Sequence, residues 1–198
     1  LHLCNKNIVK MVTNNNDGKA KNDLLLDVCM AAKYEGNSIK THHPPHQATY
    51  GDSASQLCTV LARSFADIGD IVRGRDMFLG SNKEKEKRKQ LDDNLKTIFE
   101  KIHSEVTKTN IALQERYKGG REKNYYKLRE DWWYANRETV WKAITCDAGE
   151  NDKYFRKTCG SNENTATQAS HKCRCGDGKR PGSNVVPTYF DYVPQYLR

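Results

Sequence analysis

The amino-acid sequence predicts a mainly α-helical protein, built as a disulfide-bonded helical bundle with long loops. Three segments repeat apolar residues at the spacing of one helix face, and short connections containing glycine separate them. The chain also holds seven cysteines, while only 36% of its 198 residues are hydrophobic. Because this composition supports only a thin core, we expect disulfides in an oxidising, extracellular setting to supplement it.

The N-terminal part predicts one helix followed by a loop. Asn22 or Asp23 can cap a helix that runs to about Tyr34, with Gly36 as its stop. Residues 41–52, THHPPHQATYGD, contain two prolines and a glycine and are predicted to be a loop. We assign no metal to its three histidines, because the prolines prevent the i, i+4 geometry of a helix-borne site.

The strongest helical patterns lie in the middle of the chain. Residues 55–80, 83–117 and 124–146 are predicted to be antiparallel helices of one bundle, since short connections join them. The first two carry apolar stripes: Leu57, Leu61, Ser64, Phe65, Ile68 and Val72, then Leu91, Leu95, Ile98, Phe99, Ile102 and Val106.

The third helix, residues 124–146, holds all three tryptophans and is predicted to form the axis of the core. Each buried aromatic side chain removes roughly 150–250 Å² from water. Trp133 lies at the edge of the apolar side, and Arg129 and Arg137 fall mainly outside it. The apolar side comprises Tyr125, Trp132, Asn136, Val140, Ala143 and Ile144.

The segment after residue 146 is predicted to be rich in loops. Tyr154 and Phe155 can anchor a short stretch that ends at Cys159, and residues 161–170 predict a mobile loop. The terminal sequence VPTYFDYVPQYLR is typical of the approach to a further helical unit. Because the chain begins at Leu1 without methionine, we interpret it as a piece of a larger secreted or membrane-anchored protein.

Helix faces suggest how the cysteines pair. Cys58 and Cys146 lie on or beside the apolar faces of neighbouring helices, so we expect a bond between them. Closing a loop of that length would stabilise the fold by roughly 4–5 kcal/mol. The other expected bonds are Cys4–Cys29 and a bond from Cys159 to either Cys173 or Cys175.

No motif indicates catalysis, a cofactor or a membrane span. Ser, His and Asp residues occur, but no sequence spacing assembles them into a triad. His171, Cys173 and Cys175 are alternate residues that lack an obvious fourth metal ligand, and no paired C-x-x-C suggests structural zinc. No apolar run approaches 18 residues, so we expect no membrane insertion. The sequence therefore indicates a binding or structural protein rather than an enzyme.

The net charge of +8 points to anionic partners. Disulfides argue against nucleic acid, which leaves acidic lipid, sulfated glycan or sialylated protein. We expect sulfated glycan to bind two basic clusters, which lie roughly 45 Å apart if residues 83–117 form one continuous helix. The first cluster is Arg116, Lys118, Arg121 and Lys123, and the second is Lys83, Lys85, Lys87, Arg88 and Lys89.

Several blocks resemble the signature blocks of Duffy-binding-like domains. They are ARSFADIGDIVRGRDMFLG, LREDWWYANRETVWKAITC, CRC and VPTYFDYVPQYLR, with LHLCNKN and DVCMAAKYEGNSIKTH upstream. The resemblance is greatest to the alpha type, found at the head of the variant erythrocyte membrane protein 1 adhesins of malaria parasites. The blocks follow the family's order and cover nearly the whole chain.

The resemblance implies an adhesion domain of a membrane-anchored protein on the infected erythrocyte. Residues 1–52 resemble the end of a loop-rich first subdomain, and residues 53–198 resemble the helical second subdomain. Implied partners are host erythrocyte or endothelial receptors, heparan sulfate-like and blood-group glycans, antibodies, and neighbouring domains of the same adhesin. The implied function is rosetting or cytoadherence. The alternative is an antigenically variable spacer that positions a neighbouring receptor-binding domain.

Overall fold

The computed structural model describes residues 20–50, 56–77, 80–108, 110–120, 123–160, 166–176 and 186–198, except the side chains of residues 43–50 and Gln56. This part of the chain is mainly helical, as predicted. The helices are α1 (Ala20–Tyr50), α2 (Gln56–Arg73), α3 (Asn82–Thr107), α4 (Ile111–Arg116) and α5 (Tyr126–Ile144). Two short strands, β1 (Lys157–Cys159) and β2 (Thr167–Gln168), pair antiparallel. The second strand falls in a segment that we expected to be a mobile loop.

The aromatic centre of the core lies where α2 and α5 pack against each other, and residues of α1 and α3 complete the core around it. The ring of Phe65 is centred 5.1 Å from the rings of both Trp133 and Trp141, and all three side chains are fully buried. The indole of Trp141 donates to the carbonyl of Cys173, which is disulfide-bonded to Cys58. Trp141 therefore lies near the Cys58 end of α2. Arg73, at the other end of α2, lies over Trp133. The two helices therefore run antiparallel, and the tryptophans pack in the core as predicted.

The first helix is longer than the sequence suggested. It continues through Gly36 to Tyr50, so residues 41–50 are not the loop that we expected. A Cβ atom on Gly36 would stand 2.0 Å from the carbonyl oxygen of Ile144. The glycine therefore permits a close approach of α1 to the end of α5 and does not stop the helix.

The long helix predicted over residues 83–117 is interrupted. It ends as α3 at Thr107, and α4 begins after Asn110, whose side chain accepts a hydrogen bond from the amide of Leu113 at 3.2 Å. The amide side chain of Gln114 donates to the carbonyl of Thr107 at 2.6 Å, which holds α4 against the end of α3. Asparagine favours this break because its side chain caps a new helix better than it continues an old one.

The disulfides differ from the main pairing that we predicted. Cys58 is bonded to Cys173, with 5.5 Å between their Cα atoms, and the prediction of a bond to Cys146 was wrong. Cys146 follows the last turn of α5. The segment around Cys173, in contrast, packs against Trp141 and lies next to Cys58. Cys159 is bonded to Cys175, which is one of the two partners that the sequence allowed.

Two cysteines of the described part form no disulfide with another described cysteine. Cys29 and Cys146 are half-buried, and burial raises the pKa of both thiols. A hydrogen bond with Asp147 raises the pKa of Cys146 further. The predicted partner of Cys29 was Cys4, which lies outside the described residues, so that pairing stays a prediction.

Candidate functional site

The connection from α4 to α5 places Lys118 and Lys123 of the first basic cluster on the surface beside α3. Gly119 adopts a φ of 68°, a left-handed conformation that glycine accepts without strain. Asn124 and Tyr125 also have positive φ, at 53° and 55°, which is uncommon for residues with a side chain. The amide of Tyr125 donates to the carbonyl of Gly120 at 2.6 Å and closes the turn.

Aromatic rings form the wall of this connection. The ring of His103 on α3 is centred 6.4 Å from the ring of Tyr117 and 5.5 Å from that of Tyr125. Tyr117 and Tyr125 are buried, whereas Tyr126 is 47% exposed and lies beneath the guanidinium of Arg75, 5.0 Å from its ring centre. The connection is therefore anchored to α3 by edge-on and tilted ring contacts.

Between these rings and the turn lies a cavity of about 220 Å³. We call it the tyrosine cavity. Its aromatic lining is His103, Tyr117, Tyr125 and Tyr126, and its basic lining is Lys118, Lys123 and Lys127. All three lysines are exposed, and within the described residues only Lys118 has an ion-pair partner within 4 Å, the carboxylate of Glu115 at 3.7 Å. The cavity thus combines apolar rings with cationic groups at its rim.

Arg116 belongs to the predicted cluster, but its charge already has a partner. Its Nε and Nη2 atoms donate to the two carboxylate oxygens of Asp131, at 2.6 and 2.7 Å. The hydroxyl of Tyr117 donates to the same carboxylate at 2.8 Å. The hydrogen bond from Arg116 lowers the pKa of Asp131. Arg116 therefore positions the aromatic wall and is not a free cation, while Arg121 lies outside the described residues.

The second predicted cluster lies on the first turns of α3. Lys83, Lys85, Lys87 and Lys89 are exposed there, whereas Arg88 is paired with the carboxylate of Asp76. The predicted 45 Å separation no longer applies, because α3 ends at Thr107 and the connection folds back onto His103. A rise of 1.5 Å per residue puts His103 about 30 Å along α3 from Lys83. The two clusters remain separate surfaces.

A buried charged network, which the sequence analysis missed, fixes the C-terminal segment to α5. Asp191 accepts hydrogen bonds from the indole of Trp133 at 2.9 Å and from Arg137 at 2.8 and 2.9 Å. Arg137 also donates to the carbonyl of Thr188 at 2.8 Å. Residues 186–198 therefore cover Arg137, which the helical projection placed outside the apolar face. The single acidic residue in VPTYFDYVPQYLR was the available signal for this partner.

The remaining sequence candidates are not assembled into a metal site. Cys173 and Cys175 are both used in disulfides, so they cannot join His171 as metal ligands. Over the described ranges, no group of three or more His, Cys, Asp or Glu side chains could hold a metal ion. Within the same ranges, no helix combines the length and the apolar character that crossing a membrane requires.

A family model described as "Duffy binding domain" matches residues 1–198. No curated protein shows a significant match to the chain. Among solved structures, the chain is similar to the NTS-DBL1(alpha-1) domain of the Plasmodium falciparum membrane protein 1 (PfEMP1) from the varO strain. The TM-score is 0.73 at 41% identity, covering 99% of this chain and 40% of that one.

Two further similarities extend this comparison. The NTS-DBL1-alpha and CIDR-gamma double domain of the varO PfEMP1 has a TM-score of 0.73 at 40% identity, covering 99% of this chain and 25% of that one. The ICAM-1-binding DBLbeta domain of the PfEMP1 IT4var13 has a TM-score of 0.68 at 31% identity, covering 100% of this chain and 39% of that one. The chain therefore spans two fifths or less of the length of these structures.

Proposed function

The chain belongs to the Duffy binding domain family, and from this membership we propose that it is an extracellular adhesion module. It binds host-cell receptors or sulfated glycans, catalyses no reaction and requires no cofactor. In this proposal it belongs to a membrane-anchored adhesin on the infected erythrocyte and contributes to rosetting or cytoadherence. Residues 1–52 complete a first subdomain, and residues 53–198 form the second.

The observation that carries the glycan part of the proposal is the group of exposed lysines around the tyrosine cavity and on α3. Their ammonium groups face solvent, while the nearby Asp131 is already paired with Arg116. A surface on which exposed cations outnumber the acids between them attracts polyanions. The protein component of the proposal is supported by the similar DBLbeta domain that is described as ICAM-1-binding.

Heparin affinity measured across salt concentrations tests the glycan part. We expect heparin to bind the chain and binding to weaken as salt rises, because lysine–sulfate pairs release counterions as other polyanion complexes do. The variant Lys118→Ser, Arg121→Ser, Lys123→Ser should bind more weakly and with a shallower salt dependence. Arg116 is left in place, because its removal would leave Asp131 unpaired beside Tyr117.

A matched control removes the same charge elsewhere. Lys21, Lys40 and Lys153 are exposed lysines outside both clusters, and their replacement by serine also lowers the net charge by three. If both triple variants lose affinity equally, binding depends on overall charge and not on this cluster. If both variants keep the parent affinity, the cluster is not part of the glycan site.

The second candidate function is that of a spacer that positions a neighbouring domain. The double-domain structure from the varO strain favours it, because there a similar domain is joined to a CIDR-gamma domain. A spacer should bind neither heparin nor host cells when it is folded and isolated. Failure of the folded chain to bind heparin and uninfected erythrocytes or endothelial cells would therefore support this function over adhesion.

A further inference from the structure

We propose that the tyrosine cavity binds a single sugar ring that carries an anionic group, either a sulfate or a carboxylate. This inference rests on the glycan binding proposed above and assigns one subsite within it. The ring would sit against the tyrosine side chains, and its anionic group would pair with the lysines at the rim. The remainder of the glycan would leave the cavity towards solvent.

The size of the cavity sets the size of the ligand. Its volume of about 220 Å³ is below the roughly 300–1,000 Å³ of pockets that enclose drug-sized molecules. One sugar ring is the part of a glycan that such a space can hold. A long polyanion that contacted only surface charges would need no cavity at all.

The aromatic wall provides the apolar contact. The C–H face of a sugar ring packs against the face of an aromatic side chain, and tyrosine adds a hydroxyl that can hydrogen-bond to the sugar. Tyr126 is about half exposed at this wall, while Tyr117 and Tyr125 are held in place by the ring of His103. An aromatic surface with one half-exposed ring, over which the Arg75 guanidinium lies, is therefore present before any ligand binds.

The lysines provide the selectivity for an anion. Lys118, Lys123 and Lys127 each bring three rotatable N–H donors to the same cavity. Of the nearby acids in the described part, Glu115 is exposed and 3.7 Å from Lys118, and Asp131 is neutralised by Arg116. A neutral sugar would offer these cations no negative charge to pair with, so an anionic substituent should strengthen binding.

The backbone of the connection holds this arrangement at an energetic cost. Left-handed conformations are unfavourable for non-glycine residues and persist only where the surroundings enforce them. Asn124 and Tyr125 are two such residues in succession, at the point where the chain enters α5. At this turn the Tyr125 ring contacts that of His103, and the flanking residues Lys123 and Lys127 both line the cavity.

The test measures binding of three defined small sugars to the complete 198-residue chain by calorimetry and by saturation-transfer NMR. The probes are a sulfated heparin disaccharide, sialyllactose as the carboxylate-bearing sugar, and neutral lactose. We expect at least one anionic probe to bind, with saturation transfer from tyrosine ring protons, and lactose to bind more weakly. Whichever anionic probe binds more tightly identifies the source of the charge.

Two triple variants separate this cavity from general charge. Lys118→Ser, Lys123→Ser, Lys127→Ser should weaken binding of the anionic probe by about tenfold or more. The matched control, Lys21→Ser, Lys40→Ser, Lys153→Ser, removes the same charge from exposed positions outside both basic clusters and should leave the affinity for the small probe nearly unchanged. Unaltered thermal melting would show that both variants are folded, as expected for exposed lysines.

The outcomes distinguish this inference from the proposed function. Binding of long heparin without binding of either anionic probe would overturn the subsite and leave glycan adhesion standing. Equal loss of probe affinity in both variants, or lactose binding as tightly as the anionic sugars, would also overturn the subsite. Absence of binding for heparin and the small probes alike would overturn glycan binding altogether.

Discussion

Arg137 and Asp191 carry opposite charges although their exposed fractions are only 7% and 1%. The guanidinium donates two hydrogen bonds to the carboxylate, and the indole of Trp133 donates a third. Burying two ions is costly, so such a pair adds little to stability overall, but removing one partner leaves a charge uncompensated. At this scale, one contact between residues far apart in sequence holds the C-terminal segment in place.

We predict that Arg137→Met lowers the free energy of unfolding by about 3–5 kcal/mol, because Asp191 is left buried and unpaired. Urea unfolding followed by circular dichroism measures the change. Adding Asp191→Asn to this variant should recover part of the loss, since the remaining side chain is neutral. The control Arg63→Met alters an exposed arginine on α2 and should change stability little. A loss no larger than that of the control would contradict the prediction.

The pair of Arg116 and Asp131 predicts a pH dependence. Arg116 lowers the pKa of Asp131 below its ordinary value of 3.8. The carboxylate is therefore harder to protonate in the folded state than in the unfolded state. Its contribution to stability is therefore present above pH 3.8 and is lost as the pH falls through the lower pKa of the folded state. Asp131→Asn should destabilise the chain at neutral pH, and the difference from the parent should shrink in acid. Unfolding at neutral pH and at about pH 3 checks the sign; a difference that is constant with pH would refute it.

At the scale of elements, the packing of α1 against α5 explains why a glycine occurs inside a helix. Helical propensity counts glycine as unfavourable by about 1 kcal/mol relative to alanine. In this structure the close approach to the carbonyl of Ile144 outweighs that preference, because the space beside Gly36 has no room for a methyl group. The break between α3 and α4 also depends on a local contact, because the side chain of Asn110 caps the start of α4.

We predict that Gly36→Ala destabilises the fold by about 1–3 kcal/mol, although alanine is the better helix former, because the added Cβ overlaps the end of α5. Equilibrium urea unfolding measures the effect. Asn37→Ala is the matched control, since Asn37 is exposed and adjacent on the same helix. If Gly36→Ala stabilised the chain, then α1 and α5 would not approach each other as closely as described.

At the scale of the whole molecule, the two disulfides restrict the unfolded chain to different extents. Cys58–Cys173 joins residues 115 apart and connects α2 to the segment beyond α5, whereas Cys159–Cys175 closes a loop of 16. The conformational entropy that a disulfide removes from the unfolded chain rises slowly with the length of the closed loop, so the longer bridge should contribute more to stability. The longer bridge also secures the chain that crosses Trp141, which is part of the core.

We predict that replacing Cys58 and Cys173 by alanine costs about 4–5 kcal/mol, while replacing Cys159 and Cys175 costs about 3 kcal/mol. Denaturant unfolding of the two double variants compares them. Cys146→Ala breaks no described disulfide and should have a smaller effect. Peptide mapping without reduction provides an independent check, and a Cys58–Cys146 peptide would show that the described pairing is wrong.

For the candidate site at the tyrosine cavity, the sequence predicted some of the basic residues but not how they are arranged. Lys118 and Lys123 were found from the basic run alone, and both line the tyrosine cavity. Lys127 was outside the predicted site, and its place at the rim depends on how the chain turns at Asn124 and Tyr125. Arg116 has the same charge as these lysines, but its pairing with Asp131 is a contact between α4 and α5 that sequence spacing does not reveal.

The amino-acid sequence by itself determined the class of fold, three of the apolar helix faces and the membership of the family, because these depend on local periodicity and on blocks of adjacent residues. Only the tertiary structure decided which cysteine reaches Cys58, which arginines are buried, and where α1 ends. These outcomes depend on which surfaces meet. Gly36 shows the difference: alone it predicts a helix stop, yet against Ile144 it allows two helices to approach closely. Arg137 likewise lies outside the apolar face of α5 until the segment carrying Asp191 covers it.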